Sequence, residues 1–123
     1  LTIGQDPMPE LEALLSGPDR ATALILPGSR ILALALQLAR QQGLSIPRDL
    51  SIISVGDNDW VSTYSPAITT LRWPVETLVD NLVELLVGQM ENRSLRPLQV
   101  TVPTELVLRH SCSVPPATVG REH

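Results

Sequence analysis

Two carboxylates, Asp57 and Asp59, flank Asn58 directly after an apolar run. Paired acids invite general acid–base chemistry, but that chemistry needs a histidine or nucleophile held beside them. None lies near in the sequence. The pair therefore reads as acceptors for a ligand's hydroxyls or as caps of the turn that follows. Ser29, after Pro27-Gly28, reads as the N-cap of a helix or as a ligand contact at a strand end. Trp73 suits an apolar plate with a polar edge and suits a core position equally well. Arg30 falls in the first turn of a helix, where a cation opposes the helix dipole, and reads as a solvated side chain or a cleft residue. His110 and Cys112 mimic a redox or metal pair only by proximity, and a lone thiol is the simpler reading. Gly28 and Gly56 do not belong to a G-x-G-x-x-G fingerprint, and neither a P-loop nor a G-x-S-x-G elbow occurs. The expectation is a protein that is not an enzyme, with no cofactor and no metal.

Composition narrows the class. The chain has 123 residues, enough for one domain or part of a larger one. Apolar residues make up 43% of it, so a packed core is feasible. All 9 basic residues are arginines, and 13 acidic residues leave a net charge of −4. Such a surface does not grip a phosphate backbone by itself. Trp60, Tyr64 and Trp73 are the whole aromatic complement, too few for a base-stacking platform. One cysteine excludes an internal disulfide and a multi-cysteine zinc site. No apolar run reaches the roughly 18 residues that a membrane span needs. The chain starts at Leu1 and reads as an excised or processed piece.

These residues require elements to hold them. Residues 1–20 form a lead segment with a short helix over 10–15, where Leu11, Leu14 and Leu15 share one face. The run 21–26 suits a buried parallel strand. A helix over 30–42 follows and ends at Gly43. A second buried strand spans 50–55, which gives a right-handed strand–helix–strand crossover. Gly56 to Asp59 leave that strand at its C-terminal end, where open parallel sheets bind ligands. A short helix over 60–64 stops before Pro66, and 68–73 is extended. Pro74 opens a helix over 75–92, whose stripe of Leu78, Leu82, Leu85 and Leu86 is a packing face too short for a coiled coil. Residues 92–97 are a linker. The β-type stretch 99–108 is interrupted by Pro103, which points to an edge or bulge. Residues 114–123 are a flexible tail.

Four pieces occur in a telling order. Ile46-Pro47-Arg48-Asp49-Leu50-Ser51-Ile52-Ile53 leads into the second strand, and Pro66-Ala67-Ile68-Thr69-Thr70-Leu71 follows. A helix beginning Pro74-Val75-Glu76 comes next, and Val102-Pro103-Thr104-Glu105-Leu106-Val107-Leu108-Arg109-His110-Ser111 closes the series. Together these resemble the C-terminal part of LacI-family transcriptional regulators, from about Thr22 to Ser113.

The resemblance implies an α/β fragment of a periplasmic-binding-protein-like two-lobed fold, with parallel strands and flanking helices. Residues 21–113 would be the C-terminal part of the effector-binding and dimerisation domain. They would supply half of one lobe, the final crossover and a helix of the other lobe. The implied function is effector sensing in a cytoplasmic DNA-binding repressor. A small sugar-like or nucleoside-like molecule would bind between the lobes and shift DNA affinity. DNA contact would fall to an N-terminal headpiece that is absent here, and the protein would act as a homodimer with no membrane association. By position, Gly28, Ser29, Asp57 and Trp73 match the ligand cleft, and Val61, Thr63 and Tyr64 match the dimer surface. Where the family usually shows Asn-Asp after the first strand, this chain has Gly28-Ser29. Gly56 stands where the first of two acidic or amide residues is usual. An exported solute-binding protein of a sugar transporter would share the fold, and a small α/β enzyme is the remaining alternative. Half a lobe should leave apolar faces exposed on its sheet and last helix, which predicts dimerisation or domain swapping.

Overall fold

Short apolar runs bounded by proline and glycine become strands in this chain, and the longer periodic runs become helices. The computed structural model describes residues 5–91 and 99–117. In chain order the elements are α1 (Met8–Leu15), β1 (Ala23–Pro27), α2 (Ser29–Gln41), β2 (Ser51–Val55), α3 (Asp59–Thr63), β3 (Thr69–Arg72), α4 (Val75–Met90) and β4 (Glu105–Val107). The strands form one four-stranded sheet in the order β1-β2-β3-β4. The first three run parallel, and β4 returns antiparallel along β3.

The main core lies on one face of this sheet. Leu32, Ala35, Leu36, Leu38 and Ala39 of α2 are buried, with Leu26 of β1, Ile52 of β2, Val61 of α3 and Ile68. Leu11 and Leu15 of α1 join the same cluster. Their spacing on α1 and α2 is the helical one expected of a single covered face. The other face of the sheet is less protected, and Ile25 of β1 is 65% exposed.

Three sequence expectations change. α1 starts at Met8 because Pro7 and Pro9 are tolerated in a first turn and Asp6 Oδ1 accepts the Met8 N–H at 3.1 Å. Ser29 is not the N-cap of α2: Gly28 holds that position and no side chain caps the helix. The stretch 99–108 pairs only over Glu105–Val107, beyond Pro103, which has no N–H to offer a ladder. The linker 92–97 and the tail residues 118–123 lie outside the described residues.

α4 departs from its expected packing. Leu78 and Leu85 are partly covered, but Leu82 is 64% and Leu86 61% exposed. Val75, Val79, Val83 and Met90 are exposed as well, and Gly88 is the one buried residue of the helix. The apolar face expected to stand open on the last helix is therefore present. Among the described residues, no helix is long and apolar enough to cross a membrane.

Candidate functional site

Parallel strands end together, so whatever follows them is gathered along one edge. The register pairs Pro27 with Val55 and Val55 with Leu71. The residues just past these, Gly28 and Gly56, continue the ladder. Gly28 N–H donates to Val55 O at 3.3 Å, and Gly56 N–H donates to Leu71 O at 2.8 Å. Arg72 and Trp73 complete the row on the third strand. The edge thus brings together Gly28, Ser29, Gly56, Asp57 and Trp73, all sequence-predicted or adjacent to predicted residues.

Backbone conformation explains the first glycine. Gly28 sits at φ 79°, ψ 156°, a region that residues with a Cβ scarcely enter. A Cβ there would meet no atom within 4 Å, so conformation rather than crowding selects glycine. A Cβ on Gly56 would lie 3.9 Å from Trp73 Nε1, so the indole lies beside the bare backbone of that turn. Trp73 is 51% exposed, which removes the reading of it as a core residue. Ser29 and Arg30 are exposed at the start of α2.

Asp57 is in a different situation from an open ligand contact. Arg109 donates from Nη1 and Nη2 to Oδ1, each at 3.1 Å, and from Nη2 to Oδ2 at 3.2 Å. Arg72 donates to Oδ2 from Nε at 2.9 Å and from Nη2 at 2.7 Å. A carboxylate offers about four lone-pair sites, and these contacts fill them. The two arginines hold the Asp57 carboxyl below the usual carboxylate range. The Arg109 hydrogen bonds are the largest cause, burial opposes them, and Arg72 adds to the lowering. Asp59 is exposed in the first turn of α3.

The closing motif explains why Arg109 is there. Its Nη1 also donates to Ile68 O at 2.7 Å and Thr70 Oγ1 at 3.2 Å, and its backbone N–H donates to Thr69 Oγ1 at 3.0 Å. Ser111 Oγ accepts the Thr69 N–H at 2.8 Å and donates to Ile52 O. Thr69, Thr70 and Ser111 are all buried, and no buried side-chain polar atom among the described residues lacks a partner. The Ile-Thr-Thr-Leu and Leu-Val-Leu-Arg-His-Ser segments therefore serve one another as donors and acceptors. Arg109 and Arg72 are site residues that sequence reasoning did not single out. The available signal was an arginine inside an otherwise β-type run, since a shielded guanidinium needs an anion. Asp49 in the second-strand approach works locally: its Oδ2 accepts the Ser45 N–H at 2.8 Å and closes the turn.

The predicted dimer residues lie on α3 and just beyond it. Thr63 is exposed, Tyr64 is partly buried, and Val61 is fully buried in the chain's own core, so it offers no surface for contact. Tyr64 meets Trp60 edge-on, with ring centroids 6.0 Å apart, and its hydroxyl accepts from Arg40 Nη2 at 3.4 Å. A hollow of about 320 Å³ opens there, lined by Ala33, Leu36, Gln37, Arg40, Trp60 and Tyr64. Cys112 is exposed, and its thiol donates to Ile52 O at 3.4 Å. Among the described residues, no three His, Cys, Asp or Glu side chains converge on a metal position.

Known proteins share this fold. The family model of the periplasmic binding protein-like domain matches residues 4–112. A probable opine utilization operon repressor of Rhizobium rhizogenes is 32% identical over 85% of this chain and 53% of its own length. The arabinose metabolism transcriptional repressor of Geobacillus stearothermophilus is 31% identical over 76% of this chain and 26% of its own. A LacI family transcriptional regulator from Bifidobacterium animalis superposes with a TM-score of 0.77 at 27% identity, over 89% of this chain and 40% of that one. The chain thus spans about half the length of one curated relative and about a quarter of the other. With its strand-end edge, its interlocked threonine and arginine motifs and these likenesses, the chain belongs to the periplasmic binding protein-like domain family and corresponds to a fragment of the effector-binding domain of LacI-family transcriptional regulators.

Proposed function

We propose that this chain is the effector-sensing and dimerising segment of a cytoplasmic DNA-binding transcriptional repressor, which recognises DNA through a headpiece outside this segment. The observation that carries the reading is the strand-end edge. Exposed Ser29 and the half-exposed Trp73 plate flank the bare turns at Gly28 and Gly56, at the end of a parallel sheet where such folds bind ligands. Trp73 supplies an apolar face with an N–H at its rim, which suits the ring of a sugar or a nucleoside-like molecule. Ser29 supplies a hydroxyl that donates and accepts. Asp57 contributes through its arginine partners, since its own oxygens are occupied. Two relatives are named for the control of arabinose metabolism and of opine utilization, which supports a small-molecule effector.

Effector would stabilise one of two lobe arrangements and so change DNA affinity. A ligand can shift that balance only by its differential affinity for the two states. Dimerisation would use Thr63 and Tyr64 with the neighbouring hollow, while Val61 supports α3 from beneath.

Calorimetric titration of the complete regulator with arabinose, galactose and an opine tests the site. Binding of one of them, weakened about tenfold or more by Trp73→Ala, is the expected result. Binding that Trp73→Ala and Ser29→Ala both leave unchanged would remove these residues from the cleft. Sedimentation of Tyr64→Asp should give a monomer, and an intact dimer would move the interface elsewhere.

A further inference from the structure

We infer that Asp57 is a positioning residue: it fixes the angle between the body of the sheet and the β3–α4–β4 excursion, and so sets the arrangement that an effector must shift. The inference rests on reading α4 as part of the second lobe.

The geometry is specific. α4 is carried on two strands, leaving by β3 and returning by β4, and among the described residues it makes no extensive contact with any other element. Arg72 is the last residue of β3 and lies opposite Glu105, the first of β4. Arg109 follows the end of β4, where the chain rejoins the body. Asp57, just past the end of β2, accepts from both arginines. One carboxylate thus ties the outgoing strand and the returning strand to the central strand.

The two arms differ in freedom. The Arg109 side chain is 14% exposed and is further held by Ile68 O and Thr70 Oγ1. The Arg72 side chain is 44% exposed, and its Nη1 lies 3.8 Å from Glu105 Oε2 on the neighbouring strand. Arg109 is the fixed arm. Arg72 is the adjustable one, with a second carboxylate in reach when the ribbon tilts. Trp73 is the next residue after Arg72, so movement of this arm reaches the proposed effector plate directly. Asp57 acts on ligand response through Arg72 and not by touching the ligand.

The test measures geometry and needs no effector. In the full-length regulator with Cys112→Ser, spin labels go on Gln41 of α2 and Glu84 of α4, both exposed. The unsubstituted protein should give one narrow distance distribution. Asp57→Asn and Arg72→Gln should each broaden or displace it, Asp57→Asn by about a doubling of width and Arg72→Gln by less, while Asp57→Glu restores part of it. Arg72→Gln is a surface change, so it keeps the test valid if Asp57→Asn folds poorly. A narrow, unmoved distribution in Arg72→Gln and in folded Asp57→Asn overturns the positioning role. A broad distribution in the unsubstituted protein overturns the assignment of α4 to a rigid second lobe, and the inference falls with it.

Discussion

α2 and α4 are the two long helices of the described residues, and they meet opposite fates. α2 has 13 residues and buries five of them against β1 and α1. α4 has 16 residues, reads as at least as apolar, and buries only a glycine. Both follow a strand, and both carry an amphipathic pattern. The difference lies in what faces them. α2 closes over a sheet made by its own neighbours in sequence, whereas most apolar residues of α4 stand exposed. A hydrophobic stripe states that a surface requires a partner, and does not state that the partner is in the same segment.

The sharpest way to break this comparison is to truncate one leucine on each helix. Leu32→Ala on α2 removes a side chain with no exposure. It should lower unfolding free energy by about 2–5 kcal/mol in urea titrations. If Leu32→Ala were as mild as a surface change, α2 would not be the closed side.

Next in size is the tie between the two regions. Asp57→Ala leaves two guanidinium groups without their shared anion, one of them well shielded. The expected loss is about 3 kcal/mol, read from the same titrations. The acid limb of stability should respond as well. The folded-state pKa of Asp57 lies below its unfolded value, so its contribution is complete above the unfolded value and disappears as pH falls through the lower, folded one. Asp57→Asn should therefore lose less stability on acidification below about pH 4, the ordinary carboxylate value, than the unsubstituted protein does. Parallel acid curves would show that the pair contributes nothing to folding.

Ser111→Ala should cost about 1–3 kcal/mol, because the buried Thr69 N–H and Ile52 O lose a partner together. A cost near zero would mean that the closing motif does not hold β2 to β3.

The smallest effect belongs to α4. Leu86→Ser should change the stability of this 123-residue chain by within about 0.5 kcal/mol, because Leu86 is 61% exposed. It should nevertheless reduce self-association in light scattering. A large destabilisation would show that α4 is covered in solution by its own chain.

Much of the architecture was legible because its signals are local. Apolar runs between Pro27 and Pro18, or between Pro47 and Gly56, are too short and too well bounded to be anything but strands in this context. The position of Gly56 and Asp57 at a strand end followed from the same reading. The edge that gathers Gly28, Ser29 and Trp73 followed from parallel topology. Ser29 misled because its residue type suits an N-cap, while the backbone at Gly28 had already turned the chain into the helix.

The ion cluster was not legible. Asp57 and Arg109 are 52 residues apart, and nothing in either neighbourhood names the other. Sequence alone determined most of the elements, their order and the edge that gathers the strand ends, because hydrophobic periodicity and glycine or proline punctuation act over a few residues. Tertiary structure decided that Asp57 faces two arginines, that Trp73 stays open and that α4 keeps its apolar face uncovered. Those outcomes depend on which distant surfaces meet, and desolvation and charge pairing are fixed only when they do.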